Sequence, residues 1–233
     1  MVCIFYKKYA VPRKCPREDW VNPECRFDCY NTLIDIKTDD DSIDTYRQVS
    51  NWLIYQGVKI DPEALKAEYK KKSEEELASR WEKNPEIKIE LVFGKICKQH
   101  ALWAINESVV SVEAARAFRA ASLRHFRAFP QSLKLLKELE GYTMGIVSNA
   151  QTAFAELELK YLDLHKHFQF VILSSEFGHR KPDPRIFLEG ARKLGLKPKE
   201  ILSIGDNMEH DIAPSTKLGM KAMHIEDAWK LSK

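Results

Sequence analysis

The sequence has no CxxC pair among its five cysteines, which argues against a zinc knuckle. Five is an odd number, and four of these residues fall within the first 29 positions. A metal or redox role therefore stays open beside the simpler interpretation as unpaired thiols of a cytosolic protein. The residues concerned are Cys3, Cys15, Cys25, Cys29 and Cys97.

Long hydrophobic runs are also missing. No apolar stretch approaches the roughly 18 residues that a membrane-spanning helix needs. Near the N-terminus, Lys7 and Lys8 interrupt the apolar run that could have resembled a secretory signal. We therefore expect a cytoplasmic protein without a membrane partner.

The chain has no large excess of charge of either sign. Its 37 Lys and Arg residues nearly balance its 34 Asp and Glu residues, giving a formal charge of +3. A basic face for nucleic acid is not indicated, so we expect no nucleic-acid partner. A length of 233 residues suits one large domain, or a core with an inserted second domain. Both a monomer and a homodimer are compatible with this composition.

The first half of the chain divides into an irregular segment and a helical one. Residues 1–24 contain three prolines and no hydrophobic period, which indicates an irregular N-terminal extension. Residues 40–125 show helical periodicity and predict an inserted four-helix bundle. Asp61 and Ser111 are candidate helix N-caps, and Trp52 and Trp103 are expected in the bundle core. The predicted helices cover residues 44–58, 61–81, 89–106 and 111–126.

The second half of the chain shows a different pattern. After Pro130, apolar runs of strand length alternate with amphipathic helical segments. This alternation predicts an α/β fold, a Rossmann-like parallel sheet with helices on both faces. The core would be formed by residues 25–39 and 126–233, with residues 40–125 inserted. The predicted strands cover residues 142–148, 168–174, 200–206 and 220–225.

Polar residues follow several of these strands. Since the carboxyl ends of parallel strands meet at one edge, we expect these side chains to gather there. Three carboxylates, a hydroxyl and an ammonium group would then share one rim. Hard oxygen ligands of this kind suit Mg²⁺, which readily shares its coordination shell with phosphate. The residues are Asp28, Ser148, Lys181, Asp206 and Asp211.

Four segments in order, "FDCYNTLID", "IVSNA", "RKPDP" and "IGDNMEHD", resemble the motifs of the haloacid dehalogenase-like (HAD) hydrolase superfamily. The resemblance extends over about residues 26–225. The helical insert lies between the first and second motifs, where the capped subfamily carries its cap. The resemblance implies a HAD-like α/β core with an inserted helical cap domain, and a hydrolase.

The resemblance also implies roles for individual residues. Asp28 would be the nucleophile that forms a covalent aspartyl intermediate. Ser148 and Asn149 would bind the substrate, with Ser148 contacting a transferring phosphoryl oxygen. Lys181 would neutralise charge on nucleophile and substrate. Mg²⁺ would be held by carboxylates and one backbone carbonyl, from Asp28, Asp206, Asp211 and Tyr30.

Tyr30 departs from the phosphatase pattern, because phosphatases of this family usually carry a second Asp two residues after the nucleophile. With a reference pKa of about 10, a tyrosine is a poor base at neutral pH, although it can donate a hydrogen bond as a catalytic residue. Tyrosine is common at this position in 2-haloacid dehalogenases, which need no metal. Asp206 and Asp211 favour a metal, because three carboxylates without a cation would repel one another.

Three functions stay open on this basis. The favoured one is a Mg²⁺-dependent phosphatase acting on a small phosphorylated metabolite through an aspartyl-phosphate intermediate. The alternatives are a metal-independent 2-haloacid dehalogenase and a non-catalytic binding protein that retains the fold. Glu24 and Arg26 are unusual in the first strand and support the last alternative. Residues of the insert that could reach a substrate are Arg80, Trp81, Trp103 and Arg124.

Overall fold

A computed structural model describes residues 24–232, so the predicted extension at 1–24 lies almost wholly outside the described residues. Seven strands are present in this described range. They are β1 (Glu24–Phe27), β2 (Ile34–Thr38), β3 (Leu123–Ala128), β4 (Met144–Ser148), β5 (Phe170–Leu173), β6 (Ile201–Gly205) and β7 (Lys221–His224).

Ten α-helices accompany the strands within residues 24–232, together with a π-helical turn at Met208–Ile212. The helices are α1 (Ile43–Ile54), α2 (Pro62–Ala78), α3 (Ile89–His100), α4 (Glu107–Ser122), α5 (Pro130–Glu138), α6 (Thr152–Tyr161), α7 (Ser174–Phe177), α8 (Pro184–Leu194), α9 (Ala213–Lys217) and α10 (Ile225–Leu231). No helix in the described part of the chain is long and apolar enough to cross a membrane.

Five of the strands form one parallel sheet in the order β5-β4-β1-β6-β7. Every residue of β4 and β6 is buried, as expected for strands covered on both faces. The predicted α/β fold is thereby confirmed. The carboxyl ends of β1, β4 and β6 lie side by side, which brings the segments that follow them to one edge of the sheet.

The central strand β1 contains a buried charge. Arg26 is only 1% exposed, because β1 lies inside the sheet and is hydrogen-bonded to strands on both sides. Its Nε donates to Ser203 Oγ at 3.2 Å and its Nη2 to Ser215 Oγ at 3.4 Å. The guanidinium lies 4.5 Å from the centre of the Phe187 ring, a cation–π distance. These partners explain how a short strand tolerates a residue that the sequence pattern disfavours.

Helices α1–α4, here called the inserted helices, pack around a hydrophobic cluster of their own. Its buried side chains include Leu53, Leu65, Phe93 and Phe118. Trp52 is half-buried against this cluster, but Trp103 is 61% exposed, so its predicted place in the bundle core is wrong. The assignment of residues 40–125 as a separate cap domain stays a prediction.

Several boundaries of the inserted helices differ from the sequence-based expectation. Helix α1 ends at Ile54 and α3 at His100, before the predicted ends at 58 and 106, and α4 differs at both ends. Helix α4 begins at Glu107, where Asn106 Oδ1 accepts a hydrogen bond from the Val109 amide. Ser111 is therefore buried inside the helix and does not cap it. The predicted helix over 111–126 also ends early, because residues 123–128 form β3 and pair antiparallel with β2. This two-stranded connection joins the inserted helices to the sheet.

Candidate active site

Asp28 and Lys181 form the centre of the site. Asp28 follows β1 directly and is only 6% exposed, and Lys181 follows α7 in the loop 178–183. Lys181 Nζ donates to Asp28 Oδ1 at 2.6 Å and to Asp211 Oδ1 at 2.7 Å. A single buried ammonium group thus links two of the predicted functional carboxylates, each from a different segment of the chain.

Asp206 and Asp211 complete a cluster of three carboxylates with Asp28. One oxygen from each residue lies within 4.8 Å of the others, a spacing that a single metal ion can bridge. Burial, followed by the nearby Asp28 and Asp211 charges, raises the pKa of Asp206 to about 6. Burial, followed by the Asp28 charge, also raises the pKa of Asp211. Ionisation of both carboxyl groups is therefore costly at this place, first because they are buried and then because of the neighbouring carboxylates.

The donor set of this cluster therefore fits a divalent cation. Carboxylate oxygens are the ligands that Mg²⁺ prefers, and the cation would offset both the burial of these carboxylates and their mutual repulsion. Thr32 Oγ1 contacts Asp206 Oδ1 at 3.4 Å and orients it. The Tyr30 backbone carbonyl as a further ligand stays a prediction from the family resemblance.

Gly205 permits the close approach of Asp211 to the sheet. An added Cβ at Gly205 would lie only 2.5 Å from Asp211 Cγ, far inside van der Waals contact. A side chain at this position would therefore push Asp211 out of the cluster. The backbone of the π-helical turn supports the same placement, since Asn207 N donates to Asp211 Oδ2 at 3.3 Å.

Ser148 and Asn149 lie at the end of β4, next to the lysine loop. Ser148 is 1% exposed. Asn149 accepts a hydrogen bond from Lys181 N at 2.7 Å and donates to Lys181 O at 3.1 Å. Asn149 therefore fixes the backbone of the lysine. Substrate binding by Ser148 and Asn149 stays a prediction.

Tyr30 is held by two charged residues that sequence reasoning missed. Its hydroxyl donates to Glu158 Oε2 at 2.6 Å, and the Arg119 guanidinium lies 5.2 Å from its ring centre. Arg119 Nε in turn contacts Glu158 Oε1 at 2.6 Å. Burial, followed by nearby negative groups, raises the pKa of Tyr30 well above its ordinary value, so the phenol stays neutral. A role of Tyr30 as a proton-transfer residue stays a prediction.

A pocket of about 370 Å³ opens above these residues, between the inserted helices and the core. Its lining includes polar and charged side chains from α4, from the loop between α2 and α3, and from the segment after β4. None of Arg80, Trp81, Trp103 and Arg124 is among these lining residues. The lining residues include Tyr30, Glu86, Arg119, Asn149 and Phe154.

No sequence signal pointed to Arg119, Glu158 or Glu86. Each is a charged residue in a helical or loop segment, where a solvated side chain is the ordinary expectation. Arg26 could have been found, because a charged residue inside a strand flanked by functional motifs requires a buried partner.

Cys29 and Cys97 are buried thiols, and burial raises the pKa of Cys97 to about 11. Cys3 and Cys15 lie outside the described residues.

The haloacid dehalogenase-like hydrolase family matches residues 27–225 of the chain. This range contains strands β2–β7, the last residue of β1, the inserted helices and all three carboxylates of the cluster. The protein therefore belongs to the haloacid dehalogenase-like hydrolase family.

Similar curated proteins carry phosphatase names. A glyceraldehyde 3-phosphate phosphatase of Methanopyrus kandleri is 32% identical over 47% of this chain and 48% of its own length. A phosphoserine phosphatase of Thermus thermophilus is 28% identical over 53% of this chain and 51% of its own. A pyrophosphatase PpaX of Bacillus cereus is 34% identical over 40% and 41%. The matched part of this chain thus spans about half the length of these relatives.

Similar solved structures support the fold. A HAD phosphatase from Thermococcus onnurineus has a TM-score of 0.54 at 21% identity, covering 86% of this chain and 84% of its own. A 2-haloacid dehalogenase from Pseudomonas syringae pv. Tomato has a TM-score of 0.61 at 20% identity, covering 87% and 85%. Phosphatases and 2-haloacid dehalogenases both have this fold, so the structural similarity fits either reaction.

Proposed function

We propose that the protein is a Mg²⁺-dependent phosphatase that hydrolyses a small phosphorylated metabolite. The observation that carries the proposal is the cluster of Asp28, Asp206 and Asp211 around Lys181, with carboxylate oxygens within 4.8 Å of one another. Three acids and one ammonium group leave a net negative charge that suits a divalent cation and a phosphate. The phosphatase names of the relatives from Methanopyrus kandleri and Thermus thermophilus give further support.

Asp28 would act as the nucleophile. Its carboxylate oxygen forms a bond to phosphorus while the bond from phosphorus to the ester oxygen breaks, and the alcohol leaves with the electron pair and takes up a proton. Water then cleaves the aspartyl phosphate, which releases inorganic phosphate and restores the carboxylate. Lys181 orients Asp28 and offsets negative charge, and Ser148 donates to a phosphoryl oxygen. Bound Mg²⁺, held by the three carboxylates and the Tyr30 carbonyl, would neutralise charge on the phosphoryl group.

The test is hydrolysis of an aryl phosphate by the full chain, with Mg²⁺ and with EDTA. An aryl phosphate has a good leaving group, so the assay does not require a general acid. We expect turnover that needs Mg²⁺ and is abolished in Asp28→Asn, while Glu75→Gln on exposed helix α2 retains it. Turnover in EDTA, or equal turnover in Asp28→Asn, would contradict the proposal.

Tyr30 supports a second candidate, a 2-haloacid dehalogenase. In that reaction Asp28 would attack carbon and halide would leave without a proton, so a tyrosine in place of the acid would have no cost. Release of chloride from 2-chloropropionate in EDTA, absent in Asp28→Asn, would favour this candidate. The absence of all turnover in both assays would favour the third alternative, a non-catalytic binding protein.

Further properties follow from the sequence alone and stay predictions. They are a cytoplasmic location, a monomeric or homodimeric state, and the absence of nucleic-acid and membrane partners. Closure of the inserted helices over the site as a cap is part of the same proposal. Closure of this kind excludes water from the reaction and completes the substrate pocket.

A further inference from the structure

The loop between α2 and α3 reaches from the inserted helices to the sheet edge that carries the site. Glu86 N donates to Gly178 O at 3.0 Å, and Arg180 N donates to Asn84 O at 3.0 Å. These two hydrogen bonds dock the loop beside the segment that carries Lys181. The loop also contacts the segment after β4, since Gln151 Nε2 donates to Ile87 O at 3.0 Å. The loop therefore has a fixed position over the pocket.

Glu86 is the acidic side chain that this loop brings to the pocket lining. Ser174 Oγ donates to its Oε2 at 2.8 Å, and Ile87 N donates to its Oε1 at 3.0 Å. Ser174, the first residue of α7, is fully buried, so its hydrogen bond fixes one oxygen of the carboxylate in place. Within residues 24–232, no cation forms an ion pair with Glu86.

The other charged group of the pocket lining is already compensated. Arg119 pairs with Glu158 at 2.6 Å and stacks at 4.6 Å from the centre of the Phe154 ring. Tyr30 is a neutral phenol. Among the described residues, Glu86 therefore supplies the uncompensated charge of this pocket, whose lining residue Asn149 is hydrogen-bonded to the Lys181 backbone. A ligand that enters this pocket meets one negative charge, amide groups and an aromatic face.

We propose that Glu86 is a specificity-determining residue that makes the site select phosphate monoesters of amino alcohols. The inference rests on the proposed phosphatase function. Tyr30, two residues after Asp28, and Asn149, hydrogen-bonded to the Lys181 backbone, both line the pocket of about 370 Å³. With the phosphate at Asp28, the alcohol portion would extend into this adjacent pocket, which is large enough for a short aminoalkyl chain. Its ammonium group forms an ion pair with Glu86. A second anionic group on the substrate, such as a carboxylate, is disfavoured by the same charge.

The test compares three esters of similar size with the full chain and Mg²⁺: O-phosphoethanolamine, neutral propyl phosphate and anionic phosphoglycolate. We expect kcat/KM to fall in that order. Glu86→Gln keeps the size and one acceptor of the side chain but removes its charge. We expect it to lower the ratio of kcat/KM for O-phosphoethanolamine over propyl phosphate by roughly tenfold, through KM, while propyl phosphate is little affected.

Glu75→Gln is the matched control, because it removes an exposed carboxylate that pairs with Lys71 within α2 and does not line this pocket. Its substrate ratio should equal that of the wild type. A ratio unchanged in Glu86→Gln, or equal kcat/KM for all three esters, would overturn the inference while leaving the phosphatase function intact. If no phosphate ester, including an aryl phosphate, is hydrolysed, the proposed function fails and the inference falls with it.

Discussion

Tyr30 contacts both the core and the inserted helices. Its hydroxyl donates to Glu158 on α6, and Arg119 on α4 covers its ring. The hydrogen bond of this neutral phenol therefore goes to Glu158 and not to the Asp28 carboxylate. We infer that Tyr30 positions the site and that solvent or the substrate supplies the proton for the leaving alcohol. The reaction would then favour esters with good leaving groups.

Tyr30→Asp is expected to increase hydrolysis of an alkyl phosphate by at least about tenfold, because general acid–base catalysis typically contributes 10²- to 10⁴-fold. Hydrolysis of an aryl phosphate should change much less, since its leaving group needs no proton. The measurement is kcat for both esters in both proteins.

Tyr30→Phe is the control for this experiment. It removes the hydrogen bond to Glu158 but introduces no acid, so the ratio of alkyl to aryl turnover should stay at the wild-type value. An unchanged ratio in Tyr30→Asp would contradict the proposal that this position lacks a general acid.

The raised pKa of Asp206, about 6, gives a pH dependence with a defined sign. Its pKa in the unfolded chain is about 3.9, so the folded state binds the proton more tightly. Ionised Asp206 therefore lowers the unfolding free energy of the metal-free protein at about pH 7. The unfolding free energy recovers as Asp206 takes up a proton, while the pH falls through about 6 towards about 4.

Asp206→Asn should accordingly melt at a higher temperature than the wild type at about pH 7 in EDTA, and the difference should shrink at about pH 5. Added Mg²⁺ should raise the melting temperature of the wild type more than that of the variant. A difference between the two proteins that is the same at both pH values would contradict the assignment.

At the scale of elements, helix α2 depends strongly on its first turn. Among its 17 residues only Leu65 is buried, so tertiary packing contributes little to its stability. Asp61 Oδ1 accepts a hydrogen bond from Ala64 N at 2.9 Å, and Pro62 occupies the first helical position. This arrangement was predicted from the sequence and is confirmed.

Asp61→Ala should lower the free energy of unfolding by about 1 kcal/mol, the usual cost of losing an N-cap. Chemical denaturation followed by circular dichroism measures this change. Asp61→Asn retains a capping oxygen and should lie close to the wild type. Equal losses in both variants would show that the cap bond is not responsible.

The sequence predicted some elements well and missed others for physical reasons. The alternation after residue 130 was readable, because buried strands are continuous apolar runs and the helices between them are amphipathic. The pairing of β2 with β3 was not readable, since it joins segments separated by the whole insert and is stabilised by Asp35 with His125 and Arg127. Helix α10 is short and was also missed.

The site shows the same division. Asp28, Lys181, Asp206 and Asp211 could be predicted because each follows a readable strand or lies in a recognisable motif. Arg119 and Glu86 depend on how the inserted helices dock onto the core. No local pattern encodes that docking, so the pocket required the structure.

At the scale of the whole molecule, the inserted helices contact the core through exposed ion pairs beside the docked loop. Arg185 contacts Glu82 at 2.7 Å, and Lys88 contacts Glu176 at 2.5 Å. Exposed pairs contribute roughly 0–1 kcal/mol each, and salt weakens them. The contact between the loop and the lysine segment should therefore open locally without unfolding the sheet.

Hydrogen exchange tests this. The amides of Glu86 and Arg180 are bonded across the contact and should exchange together, faster in Glu82→Ala than in the wild type, by about fivefold or less. Glu75→Ala removes an exposed ion pair within α2 and should leave both rates unchanged. Independent rates for the two amides would contradict a concerted opening.

Arg26 couples the folding of the sheet to the assembly of the catalytic cluster. Its guanidinium can be buried at low cost only when Ser203 on β6, Ser215 on α9 and the Asp211 carboxylate, 3.8 Å away, are already in place. We therefore expect the central strand to complete the sheet in the same step that brings Asp28 to its partners. In evolution, replacement of this arginine by an aliphatic residue would require compensating changes at both serines, so the three positions should vary together.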